Sequence, residues 1–156
     1  MKPYLLGIDI GTSACKVAVF NKQGEVIASG NGGYQVYYPH PGWAEQNPDD
    51  WWKAICENNE ELLKEIDKKQ VAGMAFSGQM MGCVPVDKNG NVLTNTPIWM
   101  DTRAQSICDR LNVEIGADNI FQVAGNSMQP SYSTAKILWY KENMPEVYAN
   151  TYKILQ

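Results

Sequence analysis

The sequence predicts an α/β domain built on a mixed sheet, and three features of its pattern predict it. Near the amino end, three short apolar runs are separated by tight turns, the pattern of an antiparallel meander. A helix with a clear start signal follows. Beyond it, short apolar runs alternate with segments of helical length, as in sheets flanked by helices.

Each element has a local cause. Tyr4 to Ile10 is the first predicted strand and Cys15 to Phe20 the second. Asn21-Lys22-Gln23-Gly24 turns the chain into a third strand containing Val26, Ile27 and Ala28. Gly30 to Pro48, rich in Gly, Pro and Tyr, reads as a strand end and then a loop. Asn47 is a suitable helix cap, Pro48 suits the first helical position, and Asp49 and Asp50 favour the positive end of the dipole. Trp52, Ile55, Asn59, Leu62 or Leu63, and Ile66 then form the expected buried stripe. Val71 to Phe76 is apolar and uncharged, which predicts a strand buried on both faces. Val84-Pro85-Val86 and Val92-Leu93 flank Asn89-Gly90, a hairpin signal, and Pro85 places that hairpin at a sheet edge. Pro97 to Met100 is a further short strand. Helices are expected over about Thr102 to Val113, Ala117 to Val123 and Ser133 to Asn143, with a short helical turn after Pro145. A last strand is expected from Tyr152 to Leu155.

The bulk numbers exclude several classes. Hydrophobic residues make up 44% and charged residues 19% of the 156 positions, the balance of a globular chain with a core. The net charge is -4 and no basic stripe occurs, which argues against nucleic acid as a partner. No apolar run approaches the roughly 20 residues that span a bilayer, and no leader pattern opens the chain. A cytoplasmic location without membrane contact is the resulting expectation. The cysteines, Cys15, Cys56, Cys83 and Cys108, form no Cys-x-x-Cys pair and read as buried free thiols. His40, between Pro39 and Pro41, reads as a loop residue without a chemical role.

One stretch carries chemistry. Leu5-Leu6-Gly7-Ile8-Asp9-Ile10-Gly11-Thr12-Ser13 places one acid inside an apolar run and ends in a glycine turn with two hydroxyls. A carboxylate in an otherwise buried strand is costly unless something compensates it. A hydrated Mg²⁺ and a phosphate chain would do so, because Mg²⁺ prefers a few carboxylate oxygens with water and phosphate. Gly11 would let backbone approach phosphate, while Thr12 and Ser13 would offer hydroxyl and amide donors. On spacing alone, a hairpin whose Asp9 caps the turn is the alternative.

With its elements in order, the chain resembles the amino-terminal domain of FGGY-family carbohydrate kinases, and is most similar to the xylulokinase-like branch. The matching segments are Gly7 to Ser13, Pro39-His40-Pro41-Gly42-Trp43-Ala44-Glu45-Gln46-Asn47-Pro48, Trp51-Trp52, Ser77-Gly78-Gln79-Met80, Trp99-Met100-Asp101-Thr102-Arg103, Ala124-Gly125-Asn126 and Lys136-Ile137-Leu138-Trp139. They occur in family order along nearly all of the chain. The Asp-x-Gly-Thr turn alone would be weak, being shared with actin-like and chaperone ATPases; the ordered set is specific.

The resemblance implies a ribonuclease-H-like, actin-type fold, with residues 1–156 as the first lobe of a two-lobed kinase. It implies ATP with Mg²⁺ as cofactor: Asp9 holds the metal, usually through water, and Gly11, Thr12 and Ser13 meet the terminal phosphate. It places the sugar or polyol near Gln79, Met80 and Met81. Many xylulokinases carry histidine where this chain has Met81, and a thioether is a poor hydrogen-bond partner, so another ketose, a polyol or a sugar acid is open as substrate. Trp99 would wall the pocket, and Asp101 and Arg103 would bind hydroxyls or brace each other at the helix start. Ser131 and Tyr132 lie near where related kinases add a polar pocket residue. Trp43, Trp51, Trp52 and Trp139 are expected to pack. The family's catalytic base, an aspartate in a Gly-Gly-Asp segment, belongs to the second lobe, so no catalytic residue is assigned in this chain and the piece alone is expected to be inactive. The second lobe is then its partner, and room is left for a homodimer. The competing readings are a non-catalytic sugar-binding or regulatory module and an actin-like ATPase domain.

Overall fold

Strands, turns and helices arise largely where local pattern puts them. The structure, a computed structural model, describes residues 3–64 and 66–156. In chain order its elements are β1 (Tyr4–Ile10), β2 (Ala14–Phe20), β3 (Val26–Gly33), β4 (Glu45–Gln46) and α1 (Pro48–Leu62). A 3₁₀ turn at Lys68–Gln70 leads into β5 (Val71–Gly78), β6 (Val84–Val86) and β7 (Thr96–Pro97). Then come α2 (Gln105–Leu111), a wide π-helical turn at Asn112–Gly116, α3 (Ala117–Ala124), α4 (Ser133–Asn143), α5 (Pro145–Asn150) and β8 (Lys153–Leu155). The chain forms two compact units, one holding the segment up to Gln35 with Asp49–Gln79, the other Val36–Pro48 with Met80–Gln156.

The first unit is a four-stranded mixed sheet in the order β3-β2-β1-β5. The meander pairs antiparallel, with Asp9 opposite Lys16, and β5 lies parallel to β1. Alternation sends Leu6, Ile8, Cys15, Val17 and Val19 to one face, where Ala54 and Ile55 of α1 meet them. Close approach depends on Gly32, where a Cβ would stand 2.8 Å from the Asn58 amide nitrogen. Asn21 closes the meander turn by accepting from the amides of Gln23 and Glu25 at 3.0 and 2.9 Å.

Two expectations are corrected in this unit. The α1 stripe holds at Ile55, Leu62 and Leu63, which pack in or against the core with Ala54, but Trp52 is 64% exposed; the helix ends at Leu62, so Ile66 joins that core from outside it. β5 is not buried on both faces. Among the described residues it closes the sheet order, and Met74 and Phe76 are exposed there, because the core against α1 is drawn from β1 and β2.

The second unit holds two short ribbons, β4 with β7 and β6 with β8, both antiparallel. The Asn89-Gly90 hairpin forms as expected, closed by a Val86–Val92 bridge and by Gly90 at φ +85°. The strand expected at Pro97 to Met100 stops at Pro97, because the Asp101 amide turns back to the Ile98 carbonyl at 3.0 Å. Cys83, Ala104, Ile107, Cys108, Ala135, Trp139 and Tyr140 form the core under α2 and α4. All four cysteines are free thiols. Among the described residues, no helix is long and apolar enough to cross a membrane.

Candidate functional site

In the first unit, Asp9 falls on the face of β1 opposite α1. It is exposed and borders a cavity of about 300 Å³ with Gly7, Lys16, Phe20, Phe76 and Ser77. The expectation of a carboxylate inside a buried strand is therefore corrected. Only one face of the strand is buried, and period-two alternation gives Asp9 to the other. It is accessible to a ligand without a prior desolvation cost. Lys16 stands opposite it in the ladder and lines the same cavity.

The turn after β1 is held from within the same unit. The Gly11 amide donates to the Ala14 carbonyl at 3.1 Å, and a Cβ on Gly11 would sit 3.2 Å from that oxygen. The Tyr34 hydroxyl donates to the Gly11 carbonyl, and the Tyr34 amide reaches the Ser13 carbonyl at 3.4 Å. Burial, then the nearby Cys15 and Asp9, push the Tyr34 phenol up to about 12, so it keeps the proton it donates. Ser13 is exposed and Thr12 half-buried at the tip. A single carboxylate beside such a turn suits a cation that retains water and binds phosphate oxygens. Asp9 is the residue that would hold it, with Gly11, Thr12 and Ser13 toward the phosphate. Gln79 ends this unit, its amide donating to the Ile10 carbonyl at 2.8 Å.

In the second unit, Met80, Met81, Asn126, Tyr132, Ser133, Thr134 and Gln156 line a cavity of about 370 Å³. Met81 has φ +66°, the one non-glycine residue with positive φ among those described. A bulky side chain there is strained, and such strain concentrates at ligand sites. Trp99 is 48% exposed and lies outside this lining, as do Asp101 and Arg103.

Asp101 and Arg103 are buried and turned toward each other. Asp101 is fully buried and the Arg103 side chain is 2% exposed. Arg103 Nε and Nη2 donate to the Asp101 carboxylate at 2.8–2.9 Å, and Nη2 also reaches Glu45 at 2.7 Å. Asp101 further accepts from the amides of Ala44 and Arg103 at 2.7 and 3.0 Å. The guanidinium lies 3.8 Å from the Trp43 ring centre and 5.1 Å from that of Trp139, making cation–π contacts with two rings that meet edge to face. Burial opposes the charge on Arg103, but the hydrogen bonds it donates to Asp101 and Glu45 outweigh it and raise its pKa. Of the two roles expected for this pair, the geometry matches the brace.

Tyr34, Glu45 and Lys136 carry no role that sequence pattern predicts. Lys136 is fully buried, and its ammonium donates to the carbonyls of Met81 and Ile98, both at 2.7 Å. Burial lowers its pKa to about 8, against the pull of Asp101 and Cys83 and with help from Arg103. One signal existed: Lys136 precedes Tyr140 by four residues and Trp139 by three, which puts it on the core face of α4.

Comparison with known proteins then supplies relatives. The profile described as "FGGY family of carbohydrate kinases, N-terminal domain" matches residues 4–156. The xylulose kinase of Staphylococcus xylosus is 32% identical over 152 residues, covering 97% of this chain and 32% of that protein. The gluconokinase of Bacillus licheniformis is 31% identical over 147 residues, covering 94% of this chain and 29% of that protein. Among solved structures, the gluconate kinase from Lactobacillus acidophilus superposes with a TM-score of 0.90 at 30% identity, over 97% of this chain and 31% of that one. The chain thus spans about a third of the length of the curated relatives it matches.

Proposed function

The chain belongs to the FGGY family of carbohydrate kinases, matched through its N-terminal domain, and from that premise we propose that it is the amino-terminal lobe of an ATP-dependent kinase acting on a sugar or sugar-acid hydroxyl. The observation that carries the reading is Asp9, exposed on the open face of β1 at the foot of the turn Gly11-Thr12-Ser13. Phosphoryl transfer needs little more of a protein than placement and charge neutralisation. When bound, Mg²⁺ neutralises charge on the nucleotide phosphates. Asp9 would hold that ion, chiefly through water, and the hydroxyls and amides of Thr12 and Ser13 would orient the terminal phosphate. Tyr34 fixes the turn that presents them.

Met80 and Met81 would face the acceptor from the second unit's cavity, with Tyr132 and Asn126 as polar partners there. Gln79 would add an amide able to donate and accept. Trp99 would offer an aromatic face to the C–H side of the acceptor. Asp101 and Arg103 act as positioning residues in this scheme. The group that deprotonates the acceptor hydroxyl would come from the second lobe. Relatives named for xylulose and for gluconate match this chain almost equally well, and Met81 lacks a strong hydrogen-bonding group, so both substrate classes stand.

The test is a panel of pentuloses, hexuloses, polyols and sugar acids with ATP and Mg²⁺ on the full-length protein. Turnover is expected with at least one, and Asp9→Ala should lower it by about 10²-fold or more, the scale of losing a positioned charge-stabilising group. Because Asp9 is exposed, that variant should keep its stability within about 0.5 kcal/mol. Unchanged turnover in Asp9→Ala would remove Asp9 from the phosphate site.

A further inference from the structure

We infer that Lys136 is a positioning residue for the acceptor pocket, holding Met81 in its left-handed conformation by pinning the Met81 main chain to that of Ile98. Ser133, Lys136 and Tyr140 stand at i, i+3 and i+7, so they share one face of α4. Their donors take three successive carbonyls: Ser133 Oγ to Gly82 at 3.0 Å, Lys136 Nζ to Met81 at 2.7 Å, and Tyr140 Oη to Cys83 at 3.3 Å. The same face reaches a second segment, since Lys136 also donates to Ile98 at 2.7 Å, and the single Tyr140 proton is shared between Cys83 and the Asn95 carbonyl at 3.4 Å. One buried ammonium therefore ties the residue that lines the cavity, Met81, to the segment that leads into Trp99.

An ammonium suits this task. It has three donors and no acceptor, and hydrogen bonds from a charged donor are stronger than neutral ones. A backbone at φ +66° with a long side chain relaxes toward negative φ unless its carbonyl is held. Relaxation would swing the Met80 and Met81 side chains relative to Tyr132 and Ser133, which line the cavity from the start of α4. The phosphate turn of the first unit does not share this clamp, so the effect should fall on the acceptor alone.

This inference rests on the kinase reading above, and the experiment separates the two. The full-length protein, its Lys136→Met variant and its Tyr140→Phe variant are assayed with xylulose, gluconate and the rest of the panel, varying acceptor and ATP in turn. Lys136→Met is expected to raise the acceptor KM at least tenfold, with the ATP KM within threefold. Tyr140→Phe, which keeps the ring and loses one donor, is expected to raise the acceptor KM by a smaller factor in the same direction. It carries the test if Lys136→Met does not fold. An acceptor KM within twofold of wild type in a folded Lys136→Met, or acceptor and ATP KM rising together, overturns the clamp while leaving the kinase reading intact. A wild-type protein that phosphorylates nothing in the panel defeats the kinase reading itself.

Discussion

Replacing Asp101 by alanine separates a brace from a sugar ligand. The carboxylate is fully buried and accepts from Arg103 Nε and Nη2 and from the amides of Ala44 and Arg103. Without it, a guanidinium whose side chain is only 2% exposed keeps Glu45 as its remaining carboxylate partner. Breaking one side of a buried ion pair costs about 3–5 kcal/mol. At about 1.4 kcal/mol per factor of ten, that is roughly a 10²- to 10³·⁵-fold rise in local opening. Backbone hydrogen exchange at Ala44 reads it directly, because that amide bonds to Asp101 Oδ2 at 2.7 Å. Exchange at Ala44 should accelerate by at least 10²-fold in Asp101→Ala, and the near-ultraviolet signal of the edge-to-face pair Trp43 and Trp139 should weaken. Asp101→Asn, which retains one acceptor oxygen, should fall between the two. Wild-type exchange at Ala44 together with a large rise in acceptor KM would show that Asp101 binds the acceptor, and the brace would be wrong.

Two further outcomes follow from the same geometry. Tyr34→Phe removes the hydroxyl that holds the Gly11 carbonyl; it should lower stability by about 1 kcal/mol and raise the ATP KM several-fold, and a change in acceptor KM instead would contradict the assignment of that turn to phosphate. Lys136 has a folded pKa of about 8 against an ordinary 10.5. Between those values the unfolded chain holds a proton that the folded chain has released, so the lysine's contribution to stability rises with pH across the window. Denaturant unfolding of wild type and Lys136→Met from pH 7 to 10.5 should show the difference moving in favour of wild type. A difference that is flat, or that moves the other way, would mean that the buried amine keeps its proton.

Much of this protein was legible in its sequence because much of it is local. β1 runs from Tyr4 to Ile10 and α4 from Ser133 to Asn143, as read from the sequence, since alternation and helical spacing are set by neighbours a few residues apart. The Asn21 turn and the Gly90 hairpin follow from side chains that bond their own backbone or tolerate positive φ. The turn Gly11-Thr12-Ser13, proposed to meet phosphate, was visible for the same reason: its residues are contiguous. What local pattern could not fix is which face of a strand meets solvent. An acid among apolar residues reads as buried, and only the placement of α1 over one face of the sheet shows Asp9 to be on the other. The uncharged run at Val71 reads as a central strand, and only the pairing order among the described residues puts it last in the sheet. Lys136 is the plainest case. Its two acceptors lie 55 and 38 residues away, so no window of sequence contains the interaction. Contacts of that span exist only once packing has removed water from around the ammonium and left two carbonyls as its partners, and that is a property of tertiary structure alone.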